Sequence, residues 1–228
     1  METHGQERSG DYEQALELID SVYEAALDVD EWPRFLDRLC SFMGAIAADF
    51  YVRSGEANTF AAFTGISDDL MREYLAHYHD QNQRVSALQN TRQGGLITDF
   101  DLLSPEEISR SPYYQDLIFR NGYGLCIGGT PLQTQNQTAM FGVHFARGVN
   151  GYHDDNFRKL KLVMPHMRRA VQVRNRLNDE TSRVERISAC IDSLSTGVVL
   201  LDGRYRVSRV NDAAGGLLGR ACSSRMAN

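Results

Sequence analysis

The feature that most constrains this chain is a long apolar seam near its end. From Asp154 to about Ser195, Val163, Ala170, Leu177, Val184 and Ile191 return every seven residues, with Val173, Ile187 and Leu194 on the adjoining seam. One helix over that stretch would be ~60 Å long at 1.5 Å rise per residue. A domain built from the rest of a 228-residue chain cannot cover such a length, so the far half needs a partner, most simply the same helix of a second copy. Val184, Ile187, Ile191 and Leu194 are the predicted dimerisation residues. His166 and Glu180 interrupt the second seam, and Pro165 marks a place for a kink. Residues 158–176 also carry seven basic side chains and no acid, giving +7 in a chain whose net charge is −6. A nucleic-acid surface can begin this way. The helical apolar spacing, and the lack of interleaved aromatic or Gly-rich readout residues, favour a solvated helix face or one that meets an acidic partner.

Upstream, residues 1–10 read as a disordered N-terminus, and Asp11 caps a helix carrying Tyr12, Leu16, Ile19, Val22, Tyr23, Ala26 and Leu27. A second helix starts near Asp30, tolerates Pro33 in its first turn, buries Trp32, Phe35, Leu36, Leu39 and Phe42, and stops at Gly44. Strands over 46–53 and 58–64 form a hairpin around Ser54, Gly55 and Glu56. Ser67 starts a helix through Leu70, Tyr74 and Tyr78, after which 80–101 is polar and winds around the domain. Ser104 caps a short helix begun by Pro105, and the same serine-proline start recurs at Ser111 and Pro112. Two more strands, 125–132 and 137–147, follow. At least four short strands between helical ends, too close in sequence for parallel crossovers, predict an α+β fold: an antiparallel sheet flanked by helices, with a long C-terminal dimerisation helix. The predicted domains are 11–153, the helix 154–195, and an incomplete piece at 196–228. That last piece reads strand, turn at Asp202 and Gly203, strand, then a helix start at Asn211 or Asp212.

Chemistry is sparse. No apolar stretch approaches the ~18 residues that span a bilayer, and the polar N-terminus lacks the apolar core of a secretory signal, which predicts a cytoplasmic protein. Cys40, Cys126, Cys190 and Cys222 are far apart, so no disulfide, zinc knuckle or redox dithiol is expected. Gly122, Gly124, Gly128 and Gly129 fail as a phosphate loop, because Ile127 stands where a glycine is needed and no Walker lysine follows. His77 and His79 point to different sides of a helix and make poor metal co-ligands. His144 alternates with Met140 and Gly142 on a strand, in a pocket or as a structural histidine. No GxSxG elbow, HExxH or Cys/His nucleophile signature occurs, so no enzyme activity, catalytic residue, metal or cofactor is expected.

Four segments, YEAALDVDEWPRFLDRLCSFMGA (23–45), YLAHYHDQNQRV (74–85), LSPEEISRSPYYQDLIFRNGYG (103–124) and VMPHMRRAVQVRNRL (163–177), together resemble the N-terminal sensory region of LuxR-type bacterial transcriptional regulators. The resemblance implies a sandwich akin to PAS and GAF modules. GVVLLDGRYRVSRVNDAAGGLLG (197–219) resembles the opening of a PAS domain, and the family's terminal helix-turn-helix has no counterpart here. The family's best-known branch binds acyl-homoserine lactones through Trp, Tyr and an Asp followed by Pro. Those positions fall on Asp69, Glu73, Asn82 and Gln83, and two carboxylates beside an acyl chain would be expensive, which argues against a lactone. The implied ligand-binding residues, chosen by alternation and by matching sheet positions, are Phe50, Phe63, Tyr78, Asn82, Cys126, Met140 and His144; the alternative for each is core packing. The implied function is a homodimeric ligand-sensing module that lacks its own DNA-binding domain. The rival is an interaction protein that forms mixed dimers with a full-length regulator.

Overall fold

The computed structural model describes residues 3–55 and 57–216. Cys222, the CSSRMAN tail and Glu56 of the hairpin turn lie outside them. Contacts divide the chain between Arg174 and Asn175 into two units.

The first unit opens with α1 (Thr3–Leu27). The helix begins eight residues before Asp11, the start expected from the sequence. Once nucleated, a helix gains a hydrogen bond per added residue, and Gln6, Glu7 and Arg8 are good helix formers. Its buried stripe is also turned from the expected one: Ala15, Leu18, Val22, Ala25 and Ala26 are inside, while Tyr12, Leu16 and Leu27 are exposed. Small alanines let α1 approach the neighbouring α2 (Trp32–Met43), which the larger residues would hold off. In α2, Pro33 occupies the first turn and Gly44 ends the helix with φ of 65°, a left-handed conformation natural to glycine.

Five strands follow in the spatial order β2-β1-β5-β4-β3, all pairs antiparallel: β1 (Ala47–Ser54), β2 (Ala57–Thr64), β3 (Leu96–Thr98), β4 (Tyr123–Gln133) and β5 (Thr138–Ala146). On one face the main core joins α1, α2 and the start of α6 (Asp154–Asp192). Trp32 stacks on Phe50 there at 4.3 Å, and Leu160, Val163, Met164, Met167 and Ala170 seat the helix. Over the other face lie α3 (Asp68–His77), α4 (Gln83–Asn90), α5 (Pro105–Arg110) and a π-helical segment, Tyr113–Phe119. Two of the three predicted serine starts carry side-chain caps, Ser67 on Leu70 and Ser104 in a capping box with Glu107, whereas Pro112 precedes the π-helical segment with no side-chain cap from Ser111.

The stretch 80–101, expected to be polar and to wind around the domain, contains α4 and β3. Each is too short to show a period: α4 buries Arg84 and Leu88, and β3 pairs over three residues, Leu96–Thr98, with Ile127–Gly129. Gly65 is forced, since at φ of +69° a Cβ would come 2.1 Å from the Ile46 carbonyl oxygen.

The second unit holds the end of α6 and a hairpin of β6 (Val199–Leu201) and β7 (Val207–Val210). Buried Asn211 fastens this unit: its Oδ1 accepts from the Val198 and Ala214 amides, and its Nδ2 donates to the Ile191 and Thr196 carbonyls. Arg209 bonds to Ser188 and to Asp192. Val184, Ile187 and Leu194 are 61%, 51% and 49% exposed, and Ile191 is half-buried. Among the described residues no helix is long and apolar enough to cross a membrane.

Candidate functional site

Between the sheet and α3, α4 and the π-helical segment lies a cavity of about 560 Å³. Strand register decides its floor. Asp49 of β1 stands opposite Phe63 of β2 and Gly142 of β5; Tyr51 stands opposite Met140; His144 stands opposite Cys126 of β4. With a period of two these side chains share one face, and all of them line the cavity.

Of the residues expected from the sequence, the cavity gathers Phe63, Asn82, Cys126, Met140 and His144. Phe50 is corrected. It lies between Asp49 and Tyr51, so it points through the sheet to the main core, fully buried against Trp32. Tyr78 is corrected as well: it ends α3 and packs with the small cluster around Ile108, Tyr113 and Leu117. One turn earlier, Tyr74 takes the cavity side and accepts a hydrogen bond from Asn82 Nδ2 at 3.1 Å.

The carboxylates set against a lactone are not in the cavity. Asp69 is exposed and pairs with Arg72, and Glu73 pairs with Arg120 at 2.5 and 2.7 Å on the surface. The inward residues of α3 are Leu70, Met71, Tyr74 and Leu75. An offset of one residue rotates a helix position by about 100°, enough to exchange a surface acid for an apolar wall.

A buried polar knot closes one side. Arg84 and Asp99 are 7% and 1% exposed. Asp99 accepts from Arg84 Nε and Nη2 (2.5 and 2.9 Å), from the Tyr114 hydroxyl (2.7 Å) and from the Cys126 amide (2.7 Å). The Tyr152 hydroxyl accepts from the Asp99 amide and lies within reach of both Asp99 Oδ2 and the Cys126 carbonyl. Burial works to raise the Asp99 pKa, but the Arg84 charge and these donors outweigh it and hold the carboxyl below its ordinary value. Tyr152 stands two residues before α6, so the knot joins the cavity wall to the root of the long helix.

On the floor, His144 Nε2 lies 2.6 Å from Asp49 Oδ2. Gly142 leaves room for them: a Cβ there would come 2.8 Å from Asp49 Oδ2 and 3.2 Å from His144 Nε2. Burial disfavours the imidazolium, yet the Cys126 sulfur and the Asp49 carboxylate raise its pKa to about 10.

Sequence reasoning missed Arg84, Asp99, Tyr74 and Asp49. Arg84 and Asp99, fifteen residues apart in the dismissed polar stretch, have no local signature. Asp49 did leave one, a single charge within the otherwise apolar run Ala47–Val52. As a whole, the site is a partly open, mostly apolar cavity with a polar floor, suited to holding a small organic molecule.

No protein-family model and no curated protein matches the sequence. Solved structures do. The LBD domain of VqsR from Pseudomonas aeruginosa is 16% identical with a TM-score of 0.53, over 70% of this chain and 95% of that one. CepR2 from Burkholderia cenocepacia, described as an N-acylhomoserine lactone dependent LuxR family transcription factor, is 8% identical with a TM-score of 0.53, over 72% and 94%. Escherichia coli SdiA is 10% identical with a TM-score of 0.50, over 72% and 69%. At these identities the likeness establishes the fold: this chain has the α+β architecture of the ligand-binding domains of LuxR-type regulators.

Proposed function

We propose that the chain is a cytoplasmic ligand-sensing regulatory module of the LuxR type and not an enzyme. The observation that carries this reading is the cavity of about 560 Å³ on the helix-covered face of a sheet of that fold. Its ligand is a small organic molecule. The apolar body lies against Leu70, Leu75 and Leu88, and a polar end meets Tyr74, Asn82 and Asp49. Acyl-homoserine lactones return as candidates, because Asp69 and Glu73, the reason against them, face solvent. Occupation of the cavity shifts the Arg84–Asp99–Tyr152 knot and through it the start of α6. The exposed Val184, Ile187 and Leu194, with Ile191, pair with the same helix of a second copy; mixed dimers with a full-length regulator are the second reading of that seam.

Native mass spectrometry of protein purified from its source tests the reading directly. A retained small molecule, whose re-addition to ligand-free chain raises the melting temperature, is the expected result. Ligand at about 100 times its Kd adds roughly 2.7 kcal/mol of stability. Protein that arrives empty and shows no shift with a broad metabolite panel, lactones included, would overturn it.

A further inference from the structure

Three chemically matched side chains meet on the cavity floor. Cys126 and His144 are direct partners across β4 and β5 and line the same cavity, which places their Cβ atoms about 4.5–5.5 Å apart. The imidazole's Nε2 is held by Asp49 at 2.6 Å. Among the described residues no three His, Cys, Asp or Glu side chains are placed to share a metal ion. The arrangement is therefore a line, thiol to imidazole to carboxylate, and not a chelate. A cysteine beside a charged imidazole, with the imidazole oriented by a third group, is one form of an activated nucleophile. Cys126 is 3% exposed and lines the cavity, so the cavity is its way to a reagent.

We propose that Cys126 is the nucleophile of this cavity, with His144 as its proton partner and Asp49 holding the imidazole, and that the site captures α,β-unsaturated carbonyl compounds as thioethers. This rests on the cavity being the ligand site. The proton shared between thiol and imidazole rests on His144, as the imidazolium that Asp49 holds, and sulfur adds to the β-carbon. The alkene electron pair moves onto the carbonyl as an enolate, and the imidazolium returns its proton to the α-carbon. One S–C bond and one C–H bond form, the imidazolium N–H bond and the C=C π bond are lost, and nothing leaves. Acyl transfer fits less well. It needs free backbone donors for an oxyanion, and the Cys126 amide is already committed to Asp99 Oδ2 at 2.7 Å.

N-Ethylmaleimide, itself a conjugate acceptor, is the probe, with labelling at each cysteine followed by peptide mass mapping of the intact chain near pH 7. Cys190 is exposed, and Cys40 is buried with its thiol pushed up to about 12, first by burial and then by Asp37 and Asp49, so both serve as internal references. Cys126 should react at least tenfold faster than Cys190 despite its burial. His144→Gln should slow Cys126 at least tenfold while leaving Cys190 unchanged, and Asp49→Asn should act in the same direction. If Cys126 reacts no faster than Cys190 in the unmodified chain, the proposal is wrong whether or not the variants fold. It is equally wrong if a folded His144→Gln keeps the full rate. Failure here alongside a retained ligand that still stabilises Cys126→Ser would remove covalent capture and leave ligand sensing intact.

Discussion

Arg84 and Asp99 meet with almost no water about them, and that isolation sets how the loss of either would be felt. Removing one partner of a buried pair strands the other charge and typically costs about 3–5 kcal/mol. Arg84→Ala should lower stability by that order in urea unfolding; a loss under about 1 kcal/mol would mean that the pair is solvated in solution. The pH dependence follows from the direction of the Asp99 shift. Its folded pKa lies below the ordinary 3.8, so its stabilisation is complete above the unfolded value and fades as pH falls through the folded one. Stability should therefore drop below about pH 4, the usual unfolded carboxylate range. Asp99→Asn should be less stable at neutral pH and show a shallower acid limb. On the opposite face, Trp32 is 2% exposed and packs on Phe35, Phe50 and Phe60. Trp32→Ala should cost about 3–5 kcal/mol by leaving a cavity, measured by the same unfolding.

At the scale of elements, a single residue of register separates cavity from core. Asp49, Tyr51 and Arg53 face the cavity and Phe50 and Val52 face the other way, so β1 serves both layers at once. The long helix divides its roles along its length. Its first turns bury Leu160, Val163 and Met167, whereas Val184 and Ile187 remain exposed. Lysine at Val184 and Ile191 would place charge in any helix-helix seam there without touching the sheet core. The double variant should sediment as a monomer while the first unit keeps its melting temperature. An unmodified chain that is itself monomeric at tens of micromolar, a rough scale for weak association, would sink the proposed dimer.

For the whole molecule, charge decides what the basic run can do. The +7 of residues 158–176 sits in a chain of net charge −6. Part of it is occupied in the fold: Lys159 donates to the Phe42 carbonyl and lies 4.8 Å from that ring's centroid, and Arg174 donates to the Leu27 carbonyl. Sequence-specific readout needs an element placed in a groove with several side chains at base edges. The basic residues of this run instead belong to a helix seated on the core. Anisotropy titrations of this chain with DNA should show only weak binding, indifferent to sequence and lost in moderate salt. Tight, selective binding in physiological salt would reverse the assignment of this helix.

Local chemistry was enough to read α2 with its proline start and glycine stop, the capped starts at Ser67 and Ser104, the two hairpins of the sheet and the length of α6. Each depends on neighbours three, four or seven positions apart, or on alternation along one strand. The resemblance carried by four segments led to the right fold although no sequence comparison matched. Tertiary structure alone decided the rest. Which parity of β1 faces the cavity depends on pairing with β2 and β5, which is why Phe63 lies on the cavity face and Phe50 does not. The inward face of α3 depends on its rotation against the sheet, which moved Asp69 and Glu73 to solvent and brought Tyr74 inside. Arg84 finds Asp99 only because α4 and the turn after β3 fold over the same end of the cavity. Cys126, His144 and Asp49 are far apart in the chain and meet because three antiparallel strands lie side by side in one register.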